Sequence, residues 1–380
     1  MSDAESSGYD AVDDAIERLE WADTREDPDP TPVSKLRAFT RRAALTGGAA
    51  GVAAAVLEAC GGGGTSSTSA SGGGAASSIF KAGGYSFTFV NHVTTNPFFV
   101  PTRYGAADAC KLLGCSYQWT GSQTSNVSEM VNAVNSAVTA GADGIAVALV
   151  DPTAFNAPVQ AALSKSIPVV AYNADATGNP RLAYIGQDLE LSGEEMGKQI
   201  LKLVPGGSEV ALFIATPGSL NIQPRIDGAK KSIGSKLKVD TIATGAAVPH
   251  ELSTIQSFAQ SHSSVAGMFA VDAGSTQSVA QTIQKQGLKD KVKGGGYDTL
   301  KPTIELLQKG YIQFTIDQQP YLQGFLPVLE LYLYKASQTL TGIADINTGL
   351  KFLDSTTVVP YNTTKTRYEG SSAAAGVAKA

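Results

Sequence analysis

From Tyr85 to Ile316, short apolar runs alternate with segments patterned as helices, and this rhythm constrains the fold more than any other feature. The first set of candidate strands is Ser86–Asn91, Ser116–Trp119, Gly144–Val150, Pro168–Tyr172 and Ala183–Ile185. A second set follows at Glu209–Ala215, Val239–Ala243, Gly267–Val271, Val292–Tyr297 and Gln313–Ile316. Between them lie helices such as Asn126–Thr139, where Met130, Val131, Val134, Ala137 and Val138 recur on one face. Parallel strands need such crossovers, so the alternation predicts parallel sheets with helices on both faces. Two runs of strands predict two lobes rather than one very wide sheet.

Charge narrows the function classes. The 380 residues carry a net charge of −5, but residues 1–40 hold 11 acids and only 4 bases. The rest of the chain is therefore slightly basic, with 25 bases against 23 acids. A nearly neutral body does not suit nucleic acid, which requires a basic face. It suits a small neutral ligand.

The N-terminal region reads as an export segment. Arg41-Arg42 precede a mildly apolar run from Ala43 to Ala59 that is too short and weak for a membrane span. The paired arginines suggest twin-arginine export. Leu57-Glu58-Ala59-Cys60 resembles a bacterial lipobox, which implies acylation of Cys60; the competing reading is an ordinary leader that ends near this cysteine. A Gly/Ser/Ala-rich stretch (61–84) follows and reads as a flexible tether. The expected organisation is an acidic extension and leader (1–60), the tether, two lobes and a flexible tail (369–380). The expected location is outside the cytoplasm, in the cell envelope, with membrane contact through a lipid anchor.

Cys110 and Cys115 are the remaining cysteines, and an exported chain allows either a bridge between them or two thiols. No cysteine spacing fits zinc and the three histidines form no local cluster, so no metal or cofactor is expected. No dinucleotide fingerprint, P-loop or Gly-x-Ser-x-Gly elbow occurs, which argues against an enzyme.

Ligands of open α/β sheets bind beyond the carboxyl ends of the strands. Here those ends are polar: Asn91-His92, Thr120-Gly121-Ser122, Asp151, Asn173-Ala174-Asp175, Thr216, Asp272, Asp298 and Asp317-Gln318. Any one of them could be a helix cap or a turn residue. Together they supply the directional amide and carboxylate groups that sugar hydroxyls need.

Six short motifs, in order, carry a resemblance to the ribose-binding branch of the type I periplasmic binding proteins. They are Asn96-Pro97-Phe98-Phe99-Val100, Ile167-Pro168-Val169-Val170, Arg225-Ile226-Asp227-Gly228, Met268-Phe269-Ala270-Val271-Asp272, Gly296-Tyr297-Asp298 and Thr315-Ile316-Asp317-Gln318. The resemblance implies two Rossmann-like lobes joined by a three-crossing hinge, with crossings near Gln187-Asp188, Gln318-Gln319 and Gly349. It implies one lobe from 85–187 plus 319–349 and another from 188–318 plus 350–368. It also implies a monomeric receptor that closes on a sugar and delivers it to an ABC permease and its ATPase.

The resemblance assigns Asn96, Arg225, Asp298 and Gln318 to ligand oxygens, and Phe98 and Phe99 to the C–H faces of the sugar. Competing readings are a core role for one phenylalanine, an Arg225–Asp227 ion pair, and an N-cap role for Asp298 in a helix beginning near Leu300. Departures from the ribose pattern are Asn173-Ala174 for Asp-Arg, Asp272 for an amide, and His92 for a small hydroxyl residue. They turn the expectation toward a monosaccharide or polyol other than ribose. The expected ligand set is His92, Asn96, Phe98, Phe99, Asn173, Asp175, Arg225, Asp272, Asp298 and Gln318, with Trp119 and Tyr172 nearby. A receptor presenting its ligand to a membrane sensor is the alternative function.

Overall fold

The computed structural model describes residues 83–340 and 342–363. The acidic extension and leader, Cys60, the tether up to residue 82 and the chain from 364 onward, including the tail, lie outside the described residues.

Two six-stranded sheets form the framework. The first contains β1 (Ser86–Asn91), β2 (Ser116–Gly121), β3 (Gly144–Val147), β4 (Val169–Tyr172) and β5 (Tyr184–Gly186). The second contains β6 (Glu209–Ile214), β7 (Lys238–Ala243), β8 (Gly267–Ala270), β9 (Lys293–Tyr297) and β10 (Phe314–Asp317). All ten strands expected from the sequence are present, with ends shifted by up to three residues. Two strands lacked a sequence signal: β11 (Ile346–Asn347) and β12 (Lys351–Leu353). Strand β11 adds to the first sheet beside β5, and β12 adds antiparallel to β10 in the second.

The orders are β11-β5-β4-β3-β1-β2 and β12-β10-β9-β8-β6-β7, so each lobe repeats the other. Every pairing except β10 with β12 is parallel. The chain moves between sheets after β5, after β10 and between β11 and β12, giving the three crossings of the hinge. In each sheet the connections run to opposite sides of one strand, β1 or β6, opening a crevice at its carboxyl end. The central strands read as near-continuous apolar runs because helices cover both faces: Ile145, Ala146 and Val147 are fully buried, as are Val169 to Tyr172.

Helix packing in both lobes depends on glycine. Helices α1 (Val100–Leu113), α2 (Val127–Ala140) and α3 (Asn156–Ser164) flank the first sheet, joined there by α9 (Leu322–Ser337), which follows β10. A Cβ on Gly105 of α1 would overlap the Tyr321 carbonyl, and one on Gly324 of α9 would overlap that of Thr102. In the second lobe, α4 (Leu189–Leu203) and α5 (Gln223–Ile233) cross just as closely. A Cβ on Gly193 would overlap the Arg225 carbonyl, and one on Gly228 that of Glu190. Helices α6 (Val248–Ser261), α7 (Ala273–Lys285) and α8 (Lys301–Gln308) complete this lobe, and α10 (Val359–Thr363) follows β12.

Cys110 and Cys115 are free thiols. They lie at the end of α1, where Gly114 adopts φ 67° and the Cys115 amide donates to the Cys110 carbonyl at 3.0 Å. No described helix is long and apolar enough to cross a membrane.

Candidate ligand-binding site

The carboxyl ends of both sheets face one cavity, lined from both lobes, with about 530 Å³ of empty space when its open mouth is included. The lobes also touch directly: the Leu220 amide, after β6, donates to the Val150 carbonyl, after β3, at 2.9 Å. Leu220 and Leu300 pack on the apolar core of the first lobe. The lobes are therefore closed around the cavity.

Nine of the ten expected ligand residues line this space. Asn96 caps a short 3-10 helix (Pro97–Phe99), accepting from the Phe98 amide at 2.9 Å, which leaves its side-chain NH₂ available as a donor. That turn presents Phe98 and Phe99 edge to face, 4.7 Å between centroids, and His92 packs against Phe99 at 5.2 Å. Burial pulls the His92 pKa down to about 4, so the ring is neutral at physiological pH. One of its nitrogens, Nε2, meets Asn173 Oδ1 at 3.2 Å.

Arg225 is held from three sides. It is 2% exposed; Nη1 donates to the Val271 carbonyl at 2.9 Å and Nη2 to Gln187 Oε1 at 3.2 Å. Its guanidinium carbon lies 4.0 Å from the centre of the Tyr297 ring, a cation–π contact. The buried Nε has no hydrogen-bond partner in the protein. Asp227 does not pair with Arg225; it accepts from Gln223 at 2.9 Å.

Asn173 and Asp298 occupy equivalent places, each following a tyrosine at the end of β4 or β9. Both have left-handed backbones, φ 64° and 75°, a conformation that asparagine and aspartate tolerate better than most residues. Asp298 is no helix cap: α8 is capped at Leu300 without a side-chain bond. Its Oδ1 accepts from Gln318 Nε2 at 2.7 Å, and burial pushes its pKa up to about 7. Gln318 is further braced by Gln323, whose Nε2 lies 3.2 Å from Gln318 Oε1.

Asp272 lines the cavity but is heavily engaged. One oxygen accepts from the Ser275 amide and the other from the Ala215 amide, each at 2.9 Å, so it caps α7 and ties it to β6.

Asp175 departs from the expectation. It lies outside this cavity, on the hinge side, paired with Arg181, which also reaches Asp345 at 2.9 Å. Trp119 and Tyr172 do not line the cavity either. Tyr172 is fully buried behind it, its hydroxyl accepting from Asn91 at 2.9 Å, and Trp119 donates to the Thr94 carbonyl at 3.3 Å.

Two site residues carry little signal of their role in the sequence. Gln187, placed only at a crossing, orients Arg225; it follows β5 as Gln318 follows β10, and that repeat was the available signal. Glu251, in the first turn of α6, lines the cavity although an acid there reads as an ordinary helix start.

Two repeated α/β lobes, three crossings and one polar cavity between them define a two-lobe binding protein. Residues 87–338 match the periplasmic binding protein domain family, and the chain belongs to it. The chain is 52% identical over 305 residues, 76% of each sequence, to the xylose/arabinose-binding protein XylF of Sulfolobus acidocaldarius. It is 25% identical over 231 residues, 59% of this chain and 76% of the relative, to the ribose import binding protein RbsB of Escherichia coli. Among solved structures, an ABC transporter solute-binding protein of Burkholderia graminis in complex with D-arabinose aligns at TM-score 0.69 and 27% identity. That alignment covers 73% of this chain and 98% of the other.

Proposed function

We propose that this protein is the extracytoplasmic receptor of an ABC-type sugar importer and that it closes on a pentose of the xylose/arabinose class. The observation that carries the reading is the shared cavity, where paired aromatic rings from one lobe oppose a buried arginine and a left-handed aspartate from the other. The 52% identical Sulfolobus relative carries xylose and arabinose in its name, and the Burkholderia protein holds D-arabinose.

In this reading Phe98 and Phe99 cover the apolar face of the sugar. Asn96 and Arg225 Nε donate to its oxygens, Asp298 accepts from a hydroxyl, and His92, Asn173, Asp272 and Gln318 complete the polar wall. Ala174 leaves the first lobe without a charged fork, so recognition leans on the second. Contacts from both lobes exist together only in the closed form, which gives the ligand its preference for that state. The role is binding without turnover by a monomer. Acylation at Cys60 and the tether after it would hold the lobes beside the permease.

A thermal-shift panel tests the proposal. D-xylose and arabinose are expected to raise the melting temperature; at 100 times the dissociation constant the gain is about 2.7 kcal/mol. Ribose, glucose and glycerol are expected to do less at equal concentration, and the pentose is expected to be recovered unaltered. A panel in which no pentose stabilises the protein would refute the reading.

A further inference from the structure

Glu251 is 1% exposed and lines the cavity, yet no N–H or O–H of the protein reaches its buried Oε2. The space it fills is reserved for it. A Cβ at Gly274, near the start of α7, would overlap Oε2, so the helix opens with a glycine where this carboxyl enters. The groups around the same cavity are Asp272 at the head of α7, Arg225 on α5, Asp298 after β9 and, from the other lobe, His92. On its own helix, His250 turns Nδ1 to the Thr244 carbonyl at 2.5 Å.

Burial raises the pKa of Asp272 as well, but of the two neighbouring acids only Asp272 receives two backbone N–H donors and the field of Arg225, which favour its ionised form. Glu251 has none of these, and two adjacent carboxylates do not both ionise readily. Burial first, then the charge of Asp272 and a hydrogen bond to its carboxyl, pushes Glu251 up to about 9. The pair therefore holds one proton, carried by Glu251 toward Asp272, and a sugar oxygen entering the cavity would compete with Asp272 for it.

We propose that Glu251 is a specificity-determining ligand contact that acts as a neutral acid, donating a hydrogen bond to a sugar oxygen while Asp272 beside it accepts one. The proposal rests on the pentose-binding reading above. The arrangement selects a hydroxyl, which can accept and donate at once, over a carboxylate or phosphate. Ionisation of Glu251 removes the donor, so binding weakens as pH rises through the pKa of the acid.

Titration calorimetry with D-xylose and with arabinose, on the full chain from pH 6 to 10, tests this with wild type, Glu251→Gln and Glu251→Ala. Wild-type affinity is expected to hold to pH 8 and then to fall about tenfold per pH unit once above pH 9. Glu251→Gln keeps a donor that does not titrate, so it is expected to stay within about threefold of wild type at pH 7 and to lack the alkaline fall. Glu251→Ala is expected to bind about tenfold or more weakly at pH 7, the loss of one buried hydrogen bond. A purely structural role would change melting temperature and leave these affinities alone. Alanine-variant affinity within threefold of wild type, or superimposable pH profiles for wild type and Glu251→Gln, overturns the proposal. Should the alanine variant fail to fold, the glutamine comparison decides by itself. Wild type that binds neither sugar removes the pentose reading as well, whereas wild-type binding with unchanged variants removes only the role of Glu251.

Discussion

Replacing Arg225 by lysine is expected to weaken pentose binding by about 100-fold or more. Lysine keeps the charge but loses the planar fork that spans the Val271 carbonyl, Gln187 and the Tyr297 ring at once. Hydrogen bonds made by charged groups are worth about 1.5–3 kcal/mol each, so losing the Nε donor and the alignment of the fork together reaches that range. Alanine in this position is expected to do more harm. Arg225 is 2% exposed, and its removal leaves a void beside the half-buried Asp272 and the buried Asp298, both of which feel its charge. The burial indicates a stability loss of about 3 kcal/mol as well. Calorimetry with xylose and a urea melt separate the two effects. Wild-type affinity in Arg225→Lys would remove the arginine from the recognition scheme.

Gly193→Val is expected to destabilise the protein by about 3 kcal/mol and to weaken sugar binding even though Gly193 lies outside the cavity. Its Cα faces the backbone of Arg225 on the neighbouring helix: an added Cβ would sit 2.7 Å from the Arg225 Cα and overlap the carbonyl oxygen. Since backbone cannot step aside as a side-chain end can, α5 would have to shift, carrying Arg225 with it. Gly206→Ala is the matched control, because the nearest atom to a Cβ there is 4.0 Å away. Urea midpoints for both variants check the expectation. Equal midpoints would mean that the α4–α5 crossing has more room than its geometry allows.

The lobes were legible because buried parallel strands must be apolar and short, and crossover helices must show one apolar face. Strand ends were less so. Ala148 to Val150 continue the apolar run of β3, yet the Val150 amide bonds back to Ala148 at 3.0 Å and the chain turns away from the ladder. Strands β11 and β12, of two and three residues, are too short for a period and exist through their pairing with β5 and β10. In the site, residues directly after strands were readable from position. Asp175 was not, because nothing local announces that Arg181 folds back to take its carboxylate. Glu251 was hidden for the opposite reason: an acid in the first turn of a helix already has an ordinary explanation. The repeated pairs Tyr172-Asn173 with Tyr297-Asp298, and Gln187 with Gln318, emerge once the sheets are superposed by strand order.

The central claim is that one pentose is gripped between the two lobes, and the crystal structure of the protein grown with D-xylose or arabinose tests it most directly. The account predicts a single sugar ring between the Phe98–Phe99 pair and the Arg225–Asp298 wall, with Arg225 Nε within hydrogen-bond distance of a sugar oxygen. A sugar bound elsewhere, or held by one lobe alone with Arg225 turned away, would contradict it.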